Sequence, residues 1–386
     1  MDFDLSEEQR LLKDSVERLV ADHYDFEARK RHIAGPKGYS DEIWSRFAEL
    51  GILGLPFAEE DGGFGGGGVD TMIVMEALGR GLVVEPYLAT VVMGGGAVRR
   101  GGSPEQKQRV VPSIADGSLK LALAHSEPQS RYNLANVAAS ARRDGDGWAL
   151  DGEKVFVLHG DSADLLVVSA RVSGGQTDET GVGLFLVPAD TAGVSRQGYA
   201  TQDSMRAATI RLENVRVGAD ALLGGDAENG LKVIRRVYDD AVAATAAEAV
   251  GGMQRALELT VEYIKTRHQF GQPIGNFQAL QHQAVDMFTA TEQARSMAMY
   301  ATMMAQEDDD LERARAMAAT RVQIGRSGRL VGKTGVQLHG GVGVTIEFAI
   351  GHYLKRFTMI DAMFGDADHH LGILSDLGGL LPADAG

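Results

Sequence analysis

The sequence predicts an α+β protein in which a compact β segment interrupts two helical regions. Three observations carry this expectation. Apolar residues recur with a helical period near both ends. The pattern shortens to strand-like runs through the middle. The last third is long enough for an antiparallel helical bundle. With 386 residues, the chain can bury the cores of two or three domains.

Residues 1–120 read as a helical domain. Ser6, with Glu8 and Gln9, opens an amphipathic stretch through Leu11, Leu12, Val16 and Leu19. A second runs from Ser40 through Ile43, Trp44, Phe47 and Leu50, and a third from Val69 through Ile73, Val74, Met75 and Leu78. Between them, Asp61-Gly62-Gly63-Phe64-Gly65-Gly66-Gly67-Gly68 predicts a flexible loop. Its glycines formally match a dinucleotide fingerprint. No buried strand precedes them and no βαβ rhythm surrounds them, so context rejects that reading.

Residues 121–230 read as a β domain. Trp148-Ala149-Leu150-Asp151-Gly152-Glu153-Lys154-Val155-Phe156-Val157 places Asp-Gly between apolar runs, which predicts a hairpin. Residues 165–170, 182–187 and 209–217 are further strand candidates. Residues 231–386 return to helices, with long candidates at 231–266, 277–306 and 311–335. Asp308-Asp309-Asp310 stands where negative charge favours a helix start. Met297, Met299, Met303 and Met304 read as core or interface filler.

Composition narrows the function classes. The net charge is −15, from 38 basic and 53 acidic residues, which argues against nucleic acid or an anionic membrane as main partner. A local basic pocket for an anionic ligand stays compatible with it. No cysteine is present, so disulfides and thiol chemistry are excluded. No apolar run spans a bilayer; Glu85 interrupts the best one, around residues 81–92. The acidic start, Met1-Asp2-Phe3-Asp4-Leu5-Ser6-Glu7-Glu8, lacks the regions of a signal peptide, so a cytoplasmic location is expected.

The motif of greatest interest is Arg267-His268-Gln269-Phe270-Gly271-Gln272-Pro273-Ile274-Gly275-Asn276-Phe277-Gln278, followed by Gln337-Leu338-His339-Gly340-Gly341-Val342-Gly343. A guanidinium, amides, an aromatic ring and a glycine pair suit a diphosphate joined to a flat base. This pairing and spacing resembles the carboxy-terminal half of acyl-CoA dehydrogenases. The likeness extends over nearly the whole chain, through Leu55-Pro56-Phe57-Ala58-Glu59-Glu60 and Leu212-Glu213-Asn214-Val215-Arg216-Val217.

The resemblance implies that family's fold: an N-terminal helical domain, a middle β-barrel domain and a C-terminal four-helix bundle. It implies FAD, with Arg267, Gln269, Phe270 and Gln278 around the diphosphate and adenine. Gln337, Gly340 and Gly341 would meet the diphosphate from a neighbouring subunit. Ser126, in Ser126-Glu127-Pro128-Gln129-Ser130-Arg131-Tyr132-Asn133, and His369 would lie near the cofactor. Arg131 and Tyr132 replace small residues of the family pattern. Phe156 and Leu158 stand where it has a Trp and a Thr, and a leucine donates no hydrogen bond. His125 and His159 fall near the same face and read as structural.

Desaturating a thioester needs a carboxylate base, a hydride acceptor and donors to the thioester oxygen. Both positions where the family keeps its base lack a carboxylate: one falls on Gly365, the other on Ala241, with Val242 replacing a substrate-handling arginine. Asp240 and Asp366 flank them, but a one-residue offset on a helix turns a side chain by about 100°. Asp366, His369 and His370 share a helical face. Three metal ligands from one turn are geometrically poor, and acidic capping of a last helix is the better reading.

The segment Phe364-Gly365-Asp366-Ala367-Asp368-His369-His370 resembles small subunits of two-component acyl-CoA dehydrogenases, of the pimeloyl-CoA dehydrogenase type. That implies a heterotetramer in which a homologous large subunit supplies the base. Acyl-CoA is then the substrate and electron-transfer flavoprotein the electron acceptor. Two alternatives stay open: a self-sufficient homotetramer with a displaced base, and a non-catalytic assembly subunit.

Overall fold

A computed structural model describes residues 5–379. The acidic start at residues 1–4 lies outside the described residues. The first region folds into α1 (Glu7–His23), α2 (Phe26–Ala34), α3 (Asp41–Glu49), α4 (Gly68–Gly81), α5 (Gly95–Gly101) and α6 (Pro104–Ala115). Ser6 caps α1 reciprocally with Gln9, and the Ser40 hydroxyl accepts from the Ile43 amide at the start of α3. A π-helical segment, Leu88–Gly94, precedes α5.

Seven strands follow: β1 (Leu121–Ala124), β2 (Ser140–Asp144), β3 (Gly147–Leu158), β4 (Leu165–Arg171), β5 (Val182–Pro188), β6 (Val194–Ala200) and β7 (Arg206–Val217). They form one sheet in the order β1-β4-β2-β3-β7-β6, with β5 also paired to β4. Its core gathers Trp148, Leu150, Leu166, Val168, Phe185 and Ile210. The expected hairpin turn at Asp151-Gly152 is corrected. β3 runs through both residues and shifts register there, and Gly152 has φ +150°, so the pair forms a bulge. The turn itself is at Gly145-Asp146, between β2 and β3.

The third region contains α7 (Gly230–Thr266), the short pair β8 (His268–Gln269) and β9 (Gln272–Pro273), then α8 (Gln278–Met304), α9 (Asp310–His339), α10 (Ala349–Ala362) and α11 (Ala367–Asp376). Asp309 caps α9 by accepting from the Leu311 and Glu312 amides. The chain divides into two compact units. One takes the chain up to Arg31, Gly68–Val83 and the chain from Val242 onward; the other takes His32–Gly67 and Val84–Ala241. In the first unit α9 packs against α8, α10 and α11. Gly79 and Gly251 let α4 and α7 cross closely: a Cβ on Gly79 would meet the Glu248 carbonyl oxygen at 1.9 Å. No helix among the described residues is long and apolar enough to cross a membrane.

Candidate active site

The residues expected at the nucleotide end all fall in the first unit. α7 ends at Thr266, and Arg267 opens a tight β8–β9 turn in which Phe270 takes φ +53° and Gly271 φ +80°. Phe270 is 89% exposed and meets Phe277 edge-on at 6.0 Å. A phenyl ring left this open on a tight turn is a ready stacking surface. Among the described residues, the side chains of Arg267, Gln278 and Gln337 have no hydrogen-bond or ion-pair partner. Gln269 only reaches the His268 carbonyl, at 2.9 Å.

Gln337, Gly340 and Gly341 lie together at the exposed end of α9. Gly340 has φ +63°, and a Cβ on either glycine would meet nothing within 4 Å. The pair therefore borders open space rather than a packed neighbour. Below it, His339 is buried, donates from Nδ1 to the Gly335 carbonyl at 2.7 Å, and stacks on Tyr263 at 4.5 Å. Unpartnered donors, an exposed ring and open backbone make this end fit a dinucleotide.

Ser126 lies in the second unit, on a segment held from several sides. Its carbonyl accepts from the Val155 amide at 2.8 Å, and its hydroxyl bonds the Tyr238 phenol. On either side of it, His125 Nδ1 meets Ser169 Oγ at 2.9 Å, and Glu127 binds the buried Lys154 at 2.6 Å. Lys154 also donates to Ser169 Oγ and to the His125 carbonyl. Sequence reasoning missed this Lys154 network; a lysine within an apolar strand pattern was its only signal. Arg131, at φ +45°, is exposed and lies over the Tyr132 ring at 5.5 Å. Phe156, at φ +53°, offers its amide to the Tyr199 hydroxyl.

Neither candidate carboxylate is set up as a base. Asp240 accepts from Arg99 at 2.8 Å and from both Nε and Nη2 of Arg100 at 2.7 Å, so two guanidinium groups occupy its oxygens. Asp366 is the N-cap of α11 and accepts from the His369 amide at 2.8 Å. Both candidates thus have their oxygens engaged within the fold. His369 is thus tied to the cap through its backbone.

Gly365, where the resemblance puts the family's base, is a strained place for any side chain. Gly365 has φ +98°, and a Cβ would approach His369 Cδ2 at 2.6 Å and His370 Nε2 at 2.7 Å. Arg321, fully buried, donates to the carbonyls of Ile360, Asp361, Met363 and Gly365 and so pins the turn after α10. Gly365→Ala should therefore cost about 1–3 kcal/mol through the strained backbone alone. Chemical denaturation measures it, and an unchanged midpoint would contradict this geometry. Ala241, the other position the resemblance points to, is wholly buried.

Two buried imidazoles make the fold acid-sensitive. Burial pushes His125 down to about 3 and His370 down to about 4. Both stay neutral in the native state near neutral pH, while the unfolded chain protonates near 6.5. Between 6.5 and those values the unfolded state binds more protons, so stability falls as pH falls through that window. A melting series from pH 7 to pH 4 should show a steady drop, reduced in His370→Gln.

Fold and site together define a flavin-dependent oxidoreductase. The chain belongs to the acyl-CoA dehydrogenase family, whose cofactor is FAD. It matches the acyl-CoA dehydrogenase N-terminal domain over residues 6–118, the middle domain over 122–215 and the C-terminal domain over 228–377. It is 31% identical over 353 residues to acyl-CoA dehydrogenase FadE12 of Mycobacterium tuberculosis, covering 89% of each chain. The ChsE4-ChsE5 complex of Mycobacterium tuberculosis contains a chain of the same fold, with TM-score 0.88 and 27% identity over 99% of this chain and 100% of that one. The FAD complex of PigA gives TM-score 0.89 and 26% identity, covering 98% and 99%.

Proposed function

We propose that this chain is the small-subunit partner in a two-chain acyl-CoA dehydrogenase. It grips the nucleotide end of FAD through Arg267, Gln269, Phe270 and Gln278, and through Gln337, Gly340 and Gly341 toward a neighbouring subunit. FAD, when bound, supplies the hydride acceptor for α,β-desaturation of a CoA thioester. A homologous large subunit supplies the carboxylate that removes the α-proton.

One observation carries this reading. Donors suited to a dinucleotide stand open and unpartnered, while the place expected for the family's base holds a glycine in a left-handed conformation, which carries no carboxylate. Exposed apolar side chains add support. Phe270, Val285, Phe288, Val344 and Ile346 are each more than half exposed in the C-terminal helical region, an arrangement that a second chain would cover. The similar ChsE4-ChsE5 structure is a complex named for two proteins.

The test is co-expression with a homologous acyl-CoA dehydrogenase chain from the same source, followed by mass determination and FAD counted per pair. A stable pair with one FAD per two chains supports the reading. A homotetramer holding one FAD per chain and turning over acyl-CoA sinks it, and a complex without flavin favours a purely assembling role.

A further inference from the structure

His352, on the first turn of α10, joins parts of the fold that lie far apart in the sequence. Its Nδ1 is 3.2 Å from Nη1 of Arg29 on α2, and its Nε2 is 3.1 Å from the carbonyl oxygen of Ile346. A guanidinium offers no lone pair, so Nδ1 accepts. A carbonyl oxygen only accepts, so Nε2 carries the proton. Each contact alone assigns the same neutral tautomer. Burial pushes the imidazole below its ordinary value, and the charges of Arg29, Lys355 and Lys30 add to it against the bond to Ile346. Arg29 is itself buried at 1% exposure, and its Nε donates to the Leu82 carbonyl at 2.8 Å. Phe26 meets the imidazole edge-on at 4.9 Å, which fixes the ring plane.

The segment held in this way is the loop between α9 and α10, residues 340–348, which begins with Gly340 and Gly341. Gly343 packs on α9, where a Cβ would meet the Val336 carbonyl oxygen at 2.7 Å. Beyond it the loop has little apolar hold: Val344 and Ile346 are 74% and 67% exposed. The Thr345 hydroxyl bonds back within the loop, to the Val342 carbonyl at 2.9 Å. Polar bonds therefore fix the outer half of the loop, and the one from His352 reaches it from the body of the unit. Helix capping does not explain that bond. A helix start needs acceptors for its free amides, whereas His352 donates, and no side chain caps α10 at Phe348.

We propose that His352 is a positioning residue: its Nε2–H, aimed by Arg29, holds the 340–348 loop so that Gly340 and Gly341 stay presented to the nucleotide end of the flavin. The role rests on the nucleotide grip proposed above for those glycines, and it needs no contact between His352 and FAD. Gly340–Val344 forms a tight 3₁₀ segment, so a shift at Ile346 is carried back to the glycine pair.

The experiment compares two amide variants of the protein as purified, with any co-purifying chain. His352→Asn puts its amide near the place of Nδ1, where it can accept from Arg29 but falls short of Ile346. His352→Gln reaches as far as Nε2 and can donate to Ile346. FAD retention in equilibrium dialysis should weaken about three- to tenfold in His352→Asn, the worth of one hydrogen bond, and return to within about twofold in His352→Gln. Hydrogen exchange of the flavin-free protein should show residues 340–346 opening faster in His352→Asn alone. Histidine-selective nitrogen-15 labelling of the unaltered protein should show the ring at 352 protonated on Nε2, its signal assigned by its loss in His352→Gln; this measurement stands even where the asparagine variant does not fold. Equal losses in both variants, unaltered loop exchange in His352→Asn, or a proton on Nδ1 overturns the proposal. Arg267→Ala separates it from the nucleotide grip. Weakened retention there, with none in His352→Asn, overturns the positioning role and leaves the grip standing; unchanged retention in both overturns both.

Discussion

Glu127→Gln should destabilise the protein by about 3–5 kcal/mol, the usual cost of stranding one member of a buried ion pair. Lys154 is wholly buried and Glu127 nearly so, at 0% and 4% exposure. Burial works to raise the Glu127 carboxyl, but the charge and hydrogen bond of Lys154, with donors from Gln129 and Ala138, outweigh it and hold the carboxyl below its ordinary value. Burial likewise pushes Lys154 down to about 8, with Glu127 opposing. The pair is therefore ionised near neutral pH. Replacing the carboxylate by a neutral amide leaves the buried ammonium charge uncompensated, beside neutral acceptors such as Ser169 Oγ and the His125 carbonyl. The double change Glu127→Leu with Lys154→Met should recover much of the loss, since well-packed apolar residues can replace such pairs. Urea unfolding of the single and double variants measures both effects. A single-variant loss below about 1 kcal/mol would contradict a tightly coupled pair. Because Glu127 follows Ser126 directly, the same variant should also loosen the segment that carries Ser126.

Arg267→Ala should weaken FAD retention about ten- to a hundredfold, with little effect on folding. The guanidinium is exposed and unpartnered, so its loss breaks no contact of the protein itself. Charge-assisted hydrogen bonds to phosphate contribute about 1.5–3 kcal/mol each, and that range sets the factor. Arg267→Lys should fall between, because an ammonium keeps the charge but loses the paired geometry. Equilibrium dialysis with flavin absorbance reads the affinity, and thermal unfolding without flavin checks the fold. Unchanged retention would remove Arg267 from the cofactor site.

The helices that begin near Ser6 and Ser40 were legible because each announces itself locally. Ser6 and Ser40 precede apolar residues at helical spacing, and both cap helices in the structure. β6 was not legible: Val194–Ala200 is almost wholly exposed, so no alternation of apolar and polar residues marks it. Asp151-Gly152 misled because glycine serves a bulge as readily as a turn. The Arg267 and Gln337 segments could be read because their residues are close in sequence. The Arg99–Asp240–Arg100 cluster could not, because its members lie about 140 residues apart and only the fold joins them. The closure of position 365 was equally hidden. The sequence places a glycine there; only the structure brings both histidine rings against it.

The sharpest test mixes the purified chain, reconstituted with FAD and freed of any other protein, with straight-chain, branched and dicarboxylic acyl-CoA thioesters under anaerobic stopped-flow conditions. If Gly365 and Ala241 stand where the family keeps its base, as proposed, the flavin absorbance should persist until a carboxylate-bearing homologous chain is added. Rapid bleaching by this chain alone would show that it carries its own base.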